Sequence, residues 1–312
     1  MKSKQKRKYD VSWSKALMIG TLLVGLSGCA TYQDEAKWIY PPMARPLQAD
    51  VQQEIQIARL SQLLTRDDLS DDIRAKIFFE RGNYYDLLGL RNLARFDYEQ
   101  SLQLNPAQAD VYNMLGVYYT EIGEYEAAYD AFDSTLELNP KYDYAYRNQA
   151  IALYYGERPE LATDEIQTFI EKEPTDPFGA IWQYLIDVKI DPVKAKAALN
   201  KRYEQRDDGI WGWLMASVLL ETQSDKEVFH KVLNSTRDNT LLAERLTEIY
   251  FYMGKREQIK GDFAQAISLY KLAISLNVYE YVEHRYAFLE LEKIYHDLKD
   301  EHMQQVEKVA AQ

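Results

Sequence analysis

The chain has 312 residues, 28% of them charged, with a formal net charge of −12 and one cysteine. That length exceeds one compact core and suits two domains or one extended array. An acidic body lacks the clustered Lys and Arg that nucleic acid needs, and a lone Cys excludes an intrachain disulfide; one Cys and four His are too few for a Cys/His zinc site.

The amino terminus differs in kind from the rest. Lys2, Lys4, Lys6, Arg7, Lys8 and Lys15 precede an uncharged stretch, and the apolar run from Ala16 to Leu26 is too short to span a bilayer comfortably. It ends in Leu26-Ser27-Gly28-Cys29. A basic, apolar and then small-residue order reads as a signal peptide over 1–28, and its ending resembles the bacterial lipobox, Leu-(Ala/Ser)-(Gly/Ala)-Cys. The resemblance implies cleavage before Cys29, a diacylglycerol on its thiol and an acyl chain such as palmitate on the new amino group. Each buried methylene contributes roughly 0.8 kcal/mol, and two or more chains anchor stably. Ala30 rather than Asp follows the Cys, which by the same resemblance implies the outer membrane, facing the periplasm. Residues 29–47 hold Pro41, Pro42 and Pro46 and read as an extended tether.

The folded body is expected to begin near Gln48. Val51, Ile55 and Ala58 mark an amphipathic helix within 48–74, free to pack on the helices next in the chain or to pair with a second copy. Asp67-Asp68 and Asp71-Asp72 read as helix-start charges rather than a metal site. Then a period appears. Pro106, Pro140 and Pro174 recur every 34 residues; so do Gly82 and Gly116, Gly89 and Gly123, Tyr85 and Tyr119, and Ala94, Ala128 and Ala162. With apolar residues at helical spacing inside each unit, this pattern is similar to the tetratricopeptide repeat, a helix–turn–helix module. The units are 75–108, 109–142 and 143–176, with a fourth at 247–280 carrying Gly254, Gly261, Ala266 and Tyr270 but Val278 in place of the closing proline.

The small residues have a physical role. Gly82, Gly116, Gly254, Ala94, Ala128, Ala162 and Ala266 stand where the two helices of a unit press together, and Gly123 ends a first helix in a left-handed turn. Ala150 replaces the usual Gly in the third unit, which predicts a slightly wider hairpin there. Most of the 25 tyrosines therefore read as packing residues. Residues 177–246 lack the signature, but Asp176-Pro177, Asp191-Pro192 and Ser224 with Glu227 are helix starts. They predict helices over 178–188, 192–205, 210–221 and 225–235, with Trp182, Trp211 and Trp213 in their core. In 281–312, Phe288, Leu291, Tyr295 and Leu298 form a stripe expected to cap the last repeat, and 300–312 are expected to fray. The fold class is all-α, a repeat solenoid with additional non-consensus helices.

No catalytic constellation is present: no G-x-S-x-G, H-E-x-x-H, P-loop or dinucleotide fingerprint. No catalytic residue, metal or cofactor is therefore assigned, and His284 reads as a surface or interface histidine. In repeats of this type the first helix of each unit lines the concave side. Carried over position by position, the partner-binding candidates are Phe79, Asn83 and Asp86, then Asn113 and Val117, then Tyr144, Arg147, Ile151 and Tyr154. Asparagines pair with an extended backbone and an arginine meets a carboxylate.

The lipobox, the proline-rich tether, three units running through Tyr154-Tyr155-Gly156 and the late Val282-Glu283-His284-Arg285-Tyr286 together resemble the NlpI family of outer-membrane lipoproteins. The resemblance covers nearly the whole chain. It implies a homodimeric, non-enzymatic periplasmic adaptor that binds the carboxy-terminal processing protease Prc and the murein endopeptidase MepS, promotes degradation of the endopeptidase, and gathers other peptidoglycan enzymes, so regulating cell-wall remodelling and division. The anchor and the repeats alone equally suit an outer-membrane assembly lipoprotein, either a pilotin or a barrel-assembly component.

Overall fold

The computed structural model describes residues 41–310, with side chains for 41–300 and Met303. The signal segment, Cys29 and the tether up to residue 40 lie outside the described residues. Pro42–Gln312 forms one compact unit. The described residues form fourteen α-helices and no strand.

Helix α1 (Val51–Leu64) starts at Asp50, whose carboxylate and the Gln53 side chain cap each other's backbone, and α1 packs on α2. Three helix hairpins come next: α2 (Asp71–Leu87) with α3 (Arg91–Leu104), α4 (Ala109–Glu121) with α5 (Tyr125–Leu138), and α6 (Asp143–Tyr155) with α7 (Pro159–Lys172). The irregular middle is α8 (Pro177–Asp187), α9 (Pro192–Glu204), α10 (Trp213–Leu220) and α11 (Asp225–Ser235). Asp176, Asp191 and Ser224 cap α8, α9 and α11 through their side chains, as their positions before the helices require. The fourth hairpin is α12 (Asn239–Ile259) with α13 (Phe263–Ile274), and α14 (Val282–Ala310) closes the chain. Helix α12 begins ahead of residue 247, where the repeat pattern starts.

The close approach within a hairpin is measurable. A methyl carbon on Gly116 would lie 2.5 Å from the Phe132 ring; the same carbon on Gly82 and Gly254 would meet Tyr98 at 2.7 Å and Tyr270 at 2.6 Å. In the third unit Ala150 brings that carbon, and Ile166 stands where the others carry a ring; both are fully buried. The extra room comes from the partner side chain. Gly123 ends its helix at φ 79°, whereas the equivalent place in the third unit is Glu157 at φ 57°. The Glu157 carboxylate accepts from Lys293 at 2.6 Å and Lys189 at 3.0 Å, which holds the strained turn in place.

Two segments tie the array together over long sequence distances. Residues 42–48 lie extended on the fourth hairpin: Tyr250 donates to the Pro42 carbonyl, Arg45 and Asn239 exchange two hydrogen bonds of 2.9 and 3.0 Å, and Leu47 N–H donates to Leu276 at 2.9 Å. The folded unit thus begins at Pro42, ahead of Gln48.

Helix α14 packs on α13, α12 and α4. Its buried residues are Glu283, His284, Arg285, Tyr286, Ala287, Leu289, Glu290 and Ile294. The stripe expected to cap the last repeat points outward instead: Phe288 is 49%, Tyr295 63% and Leu298 40% exposed, and only Leu291 packs against the core. Residues 300–310, expected to fray, continue the helix.

Candidate functional site

Beside the start of α14 lies a cavity of about 900 Å³. Helix α6 supplies Tyr144, Arg147 and Ile151, three of the positions expected to face a partner. The capped start of α8 contributes Phe178 and Trp182, and the turn before α10 contributes Trp211. Glu248 of α12, Tyr281 and Glu283 complete the wall.

The polar groups are fixed in place. Arg147 lies 3.6 Å from the Asp176 carboxylate and stacks over Tyr144 and Phe169 at 5.0 and 5.4 Å. Trp211 Nε1–H donates to Glu248 Oε2 at 2.6 Å, and the Tyr252 hydroxyl donates to Glu283 Oε1 at 3.0 Å. Both carboxylates are more than nine-tenths buried. Burial and the neighbouring Glu283 charge push Glu248 up to about 8, and burial also raises Glu283.

The other expected partner-binding residues have neighbours inside the chain. Phe79 packs on Tyr98, whose hydroxyl donates to Asn83 at 2.9 Å. Asn148 donates to Asn113 at 3.0 Å, and Val117 is buried. Tyr154 is buried and accepts from Lys255 Nζ at 2.7 Å. Asp86 belongs to a ring of alternating charges: Arg285 grips it with two bonds of 3.0 and 2.5 Å, Arg91 lies 3.7 Å from it, and Glu121 is 2.7 Å from Arg91 and 3.8 Å from Arg285. Further along, Lys255 pairs with Glu290 at 2.5 Å, and Glu290 also accepts from Tyr155 and Gln258 at 2.8 and 2.9 Å. Burial is the largest influence and opposes ionisation there, but the Lys255 charge together with the hydrogen bonds from Lys255, Gln258 and Tyr155 outweighs it, so Glu290 ends below its ordinary range. Helix α14 therefore supplies the partners of Asp86 and of Tyr154's neighbour Lys255, while Tyr144, Arg147 and Ile151 of the third unit line the cavity.

His284 is 2% exposed, edge-on to Tyr279 and Phe288, rather than at the surface. Burial, then the Arg91 and Arg285 charges, lower it to about 4. Trp182 and Trp213 are buried as expected, whereas Trp211 is half-buried and, like one side of Trp182, belongs to the cavity wall. Sequence reasoning missed Trp211, Glu248 and Glu283 as site residues. Only Glu283 had a signal, its place in the Val282–Tyr286 pentapeptide.

Two family models described as tetratricopeptide repeat match, over residues 75–108 and 97–130. Residues 75–130 thus match the tetratricopeptide repeat. The first match coincides with the first unit, and the second runs from inside α3 to inside α5. Similar solved structures include a tetratricopeptide repeat protein from Parabacteroides merdae (16% identity, 69% of this chain, 78% of that one, TM-score 0.47). Others are PilF of Pseudomonas aeruginosa (17%, 68%, 90%, 0.46) and YrrB, described as a TPR protein with an unusual peptide-binding site (17%, 68%, 97%, 0.42). Likenesses with TM-scores below 0.5 carry nothing about the curvature or ligands of this array. Tetratricopeptide repeats are in general non-catalytic interaction scaffolds, stacked so that each unit buries its neighbour's open face.

Proposed function

We propose that the chain is a non-enzymatic adaptor lipoprotein that holds polypeptide segments on the inner face of its repeats. The observation that carries this reading is the cavity of about 900 Å³, lined by aromatic faces and a few fixed polar groups on a helical frame. Tyr144, Arg147 and Ile151 are its peptide-facing residues on α6, and Phe79 and Asn83 extend the face toward the first unit. On this reading acylated Cys29 anchors the chain in the outer membrane, facing the periplasm; no described helix is long and apolar enough to cross a membrane. The partners are those the family resemblance implies: a Prc-type protease, a MepS-type murein endopeptidase and other peptidoglycan enzymes. Holding protease and substrate on one scaffold replaces a chance encounter with a high effective concentration, which promotes endopeptidase degradation. The chain acts as a homodimer, for which the exposed Phe288, Tyr295 and Leu298 offer apolar area to a second copy.

Affinity capture from solubilised envelopes should recover the protease and the endopeptidase, and the endopeptidase should accumulate when the chain is deleted. An unchanged endopeptidase lifetime contradicts the adaptor role. A capture dominated by secretin or barrel-assembly components replaces it with an assembly role. Cys29→Ser should release the chain from the outer membrane after a salt wash; retention there contradicts the anchor.

A further inference from the structure

Five of the side chains lining the cavity are acidic, Glu173, Asp176, Glu248, Glu280 and Glu283, and one is basic. Glu248 and Glu283 are 7% and 4% exposed, yet among the described residues neither has a cationic side chain within ion-pair distance. Buried carboxylates elsewhere in this chain do: Glu290 has Lys255, Asp86 has Arg285 and Asp97 has Arg81. Arg147, the one basic side chain among the described residues lining the cavity, lies 3.6 Å from Asp176 and over two aromatic faces; its charge reaches Glu283 without forming an ion pair. Arg245 stacks over the Trp211 ring at 4.3 Å, but it lines a different cavity and forms no ion pair with Glu248. Trp211 holds one oxygen of Glu248 and Tyr252 one oxygen of Glu283, whose carboxylate also accepts from its own backbone amide. With no cation at ion-pair distance, these two buried carboxyls favour a cationic guest.

We infer that this cavity receives an arginine side chain from an extended partner segment, its guanidinium lodged between Glu248 and Glu283. The inference rests on the cavity being a polypeptide-binding site. The chemistry fits arginine in two ways. A guanidinium carries five donors in a flat fork, enough to reach an oxygen of each carboxylate. Its faces stack on aromatic rings, and Phe178, Trp211 and Tyr281 line the same cavity. A metal ion fits less well, because among the described residues no three metal-ligating side chains converge. The specificity is opposite to that expected from Arg147 alone: the site selects a cation, not a carboxylate.

The test uses the full chain in detergent micelles and two capped heptapeptides, Ser-Gly-Ala-Arg-Ala-Gly-Ser and the same peptide with citrulline in place of arginine. Citrulline keeps the shape and removes the charge. Titration calorimetry should show the arginine peptide binding about tenfold more tightly. Glu248→Gln with Glu283→Gln should abolish that preference while citrulline-peptide binding persists; both substitutions are isosteric, and circular dichroism checks the fold. Equal binding of the two peptides to the unaltered chain overturns the arginine inference and leaves the groove reading standing. No binding of either peptide at millimolar concentration overturns both. A preference that survives the double substitution assigns the cation to another site and also overturns the inference.

Discussion

The repeats over 75–176 and the seat of α14 are held by different physics. Within the repeats, each hairpin closes on an apolar contact between residues about sixteen apart, Gly116 against Phe132 being typical. The α14 seat adds to its apolar packing two buried ion pairs from distant parts of the chain, Arg285 on Asp86 and Glu290 on Lys255. Apolar packing tolerates gradual change, since a smaller neighbour makes room for a larger one. A buried ion pair tolerates little, since removing one partner strands the other. A solenoid is thus assembled by forgiving local contacts and then fastened by an unforgiving strap.

The sharpest break is Lys255→Met, which strands Glu290 at 1% exposure. Urea unfolding should show a loss of about 3–5 kcal/mol, with much of it recovered when Glu290→Leu is added. A single-variant loss below about 1 kcal/mol would mean the strap is not fastened by charge. Next, Gly116→Ala drives a methyl into Phe132 and should cost about 1–3 kcal/mol. Adding Phe132→Ile copies the Ala150 and Ile166 arrangement of the third unit and should restore part of the loss; a double variant worse than the single refutes the compensation.

A third test concerns the cavity. Glu248 sits at about 8 in the folded chain against an ordinary 4.5, so the folded state keeps its proton where the unfolded state has lost it. Its contribution is fully present below about 4.5 and is lost as pH rises through about 8. Glu248→Gln should therefore change little at pH 5 and gain on the order of 1 kcal/mol at pH 9 relative to the unaltered chain. A pH-independent difference rules this out. The smallest effect belongs to the exposed Arg158–Glu126 pair, on the outside of the second and third hairpins. Arg158→Ala should shift stability by less than about 0.5 kcal/mol, and a larger loss would blur the contrast between surface and buried pairs.

Helix starts were readable because a cap is a local device. Asp176, Asp191 and Ser224 each bond to backbone within three residues. The α14 face was misread for the opposite reason. Phe288, Leu291, Tyr295 and Leu298 make the more regular apolar pattern, yet the buried face contains Glu290, whose burial makes sense only with Lys255 beside it. Tyr144 and Arg147, expected from their register to face a partner, line the cavity, whereas Phe79 packs on Tyr98. Nothing local marked Glu248 as a cavity residue, since its environment comes from the turn at Trp211 and the start of α14.

By itself the sequence determined the repeat period, the helix boundaries set by caps and turns, and the small residues at each hairpin crossing. All of these depend on contacts within one unit, so they recur and leave a period to read. The tertiary structure alone decided which inner-face residues stay open, because that depends on where α14 and residues 42–48 return. Arg285 and Asp86 lie 199 positions apart, and a contact made once across such a distance has no repeat to announce it.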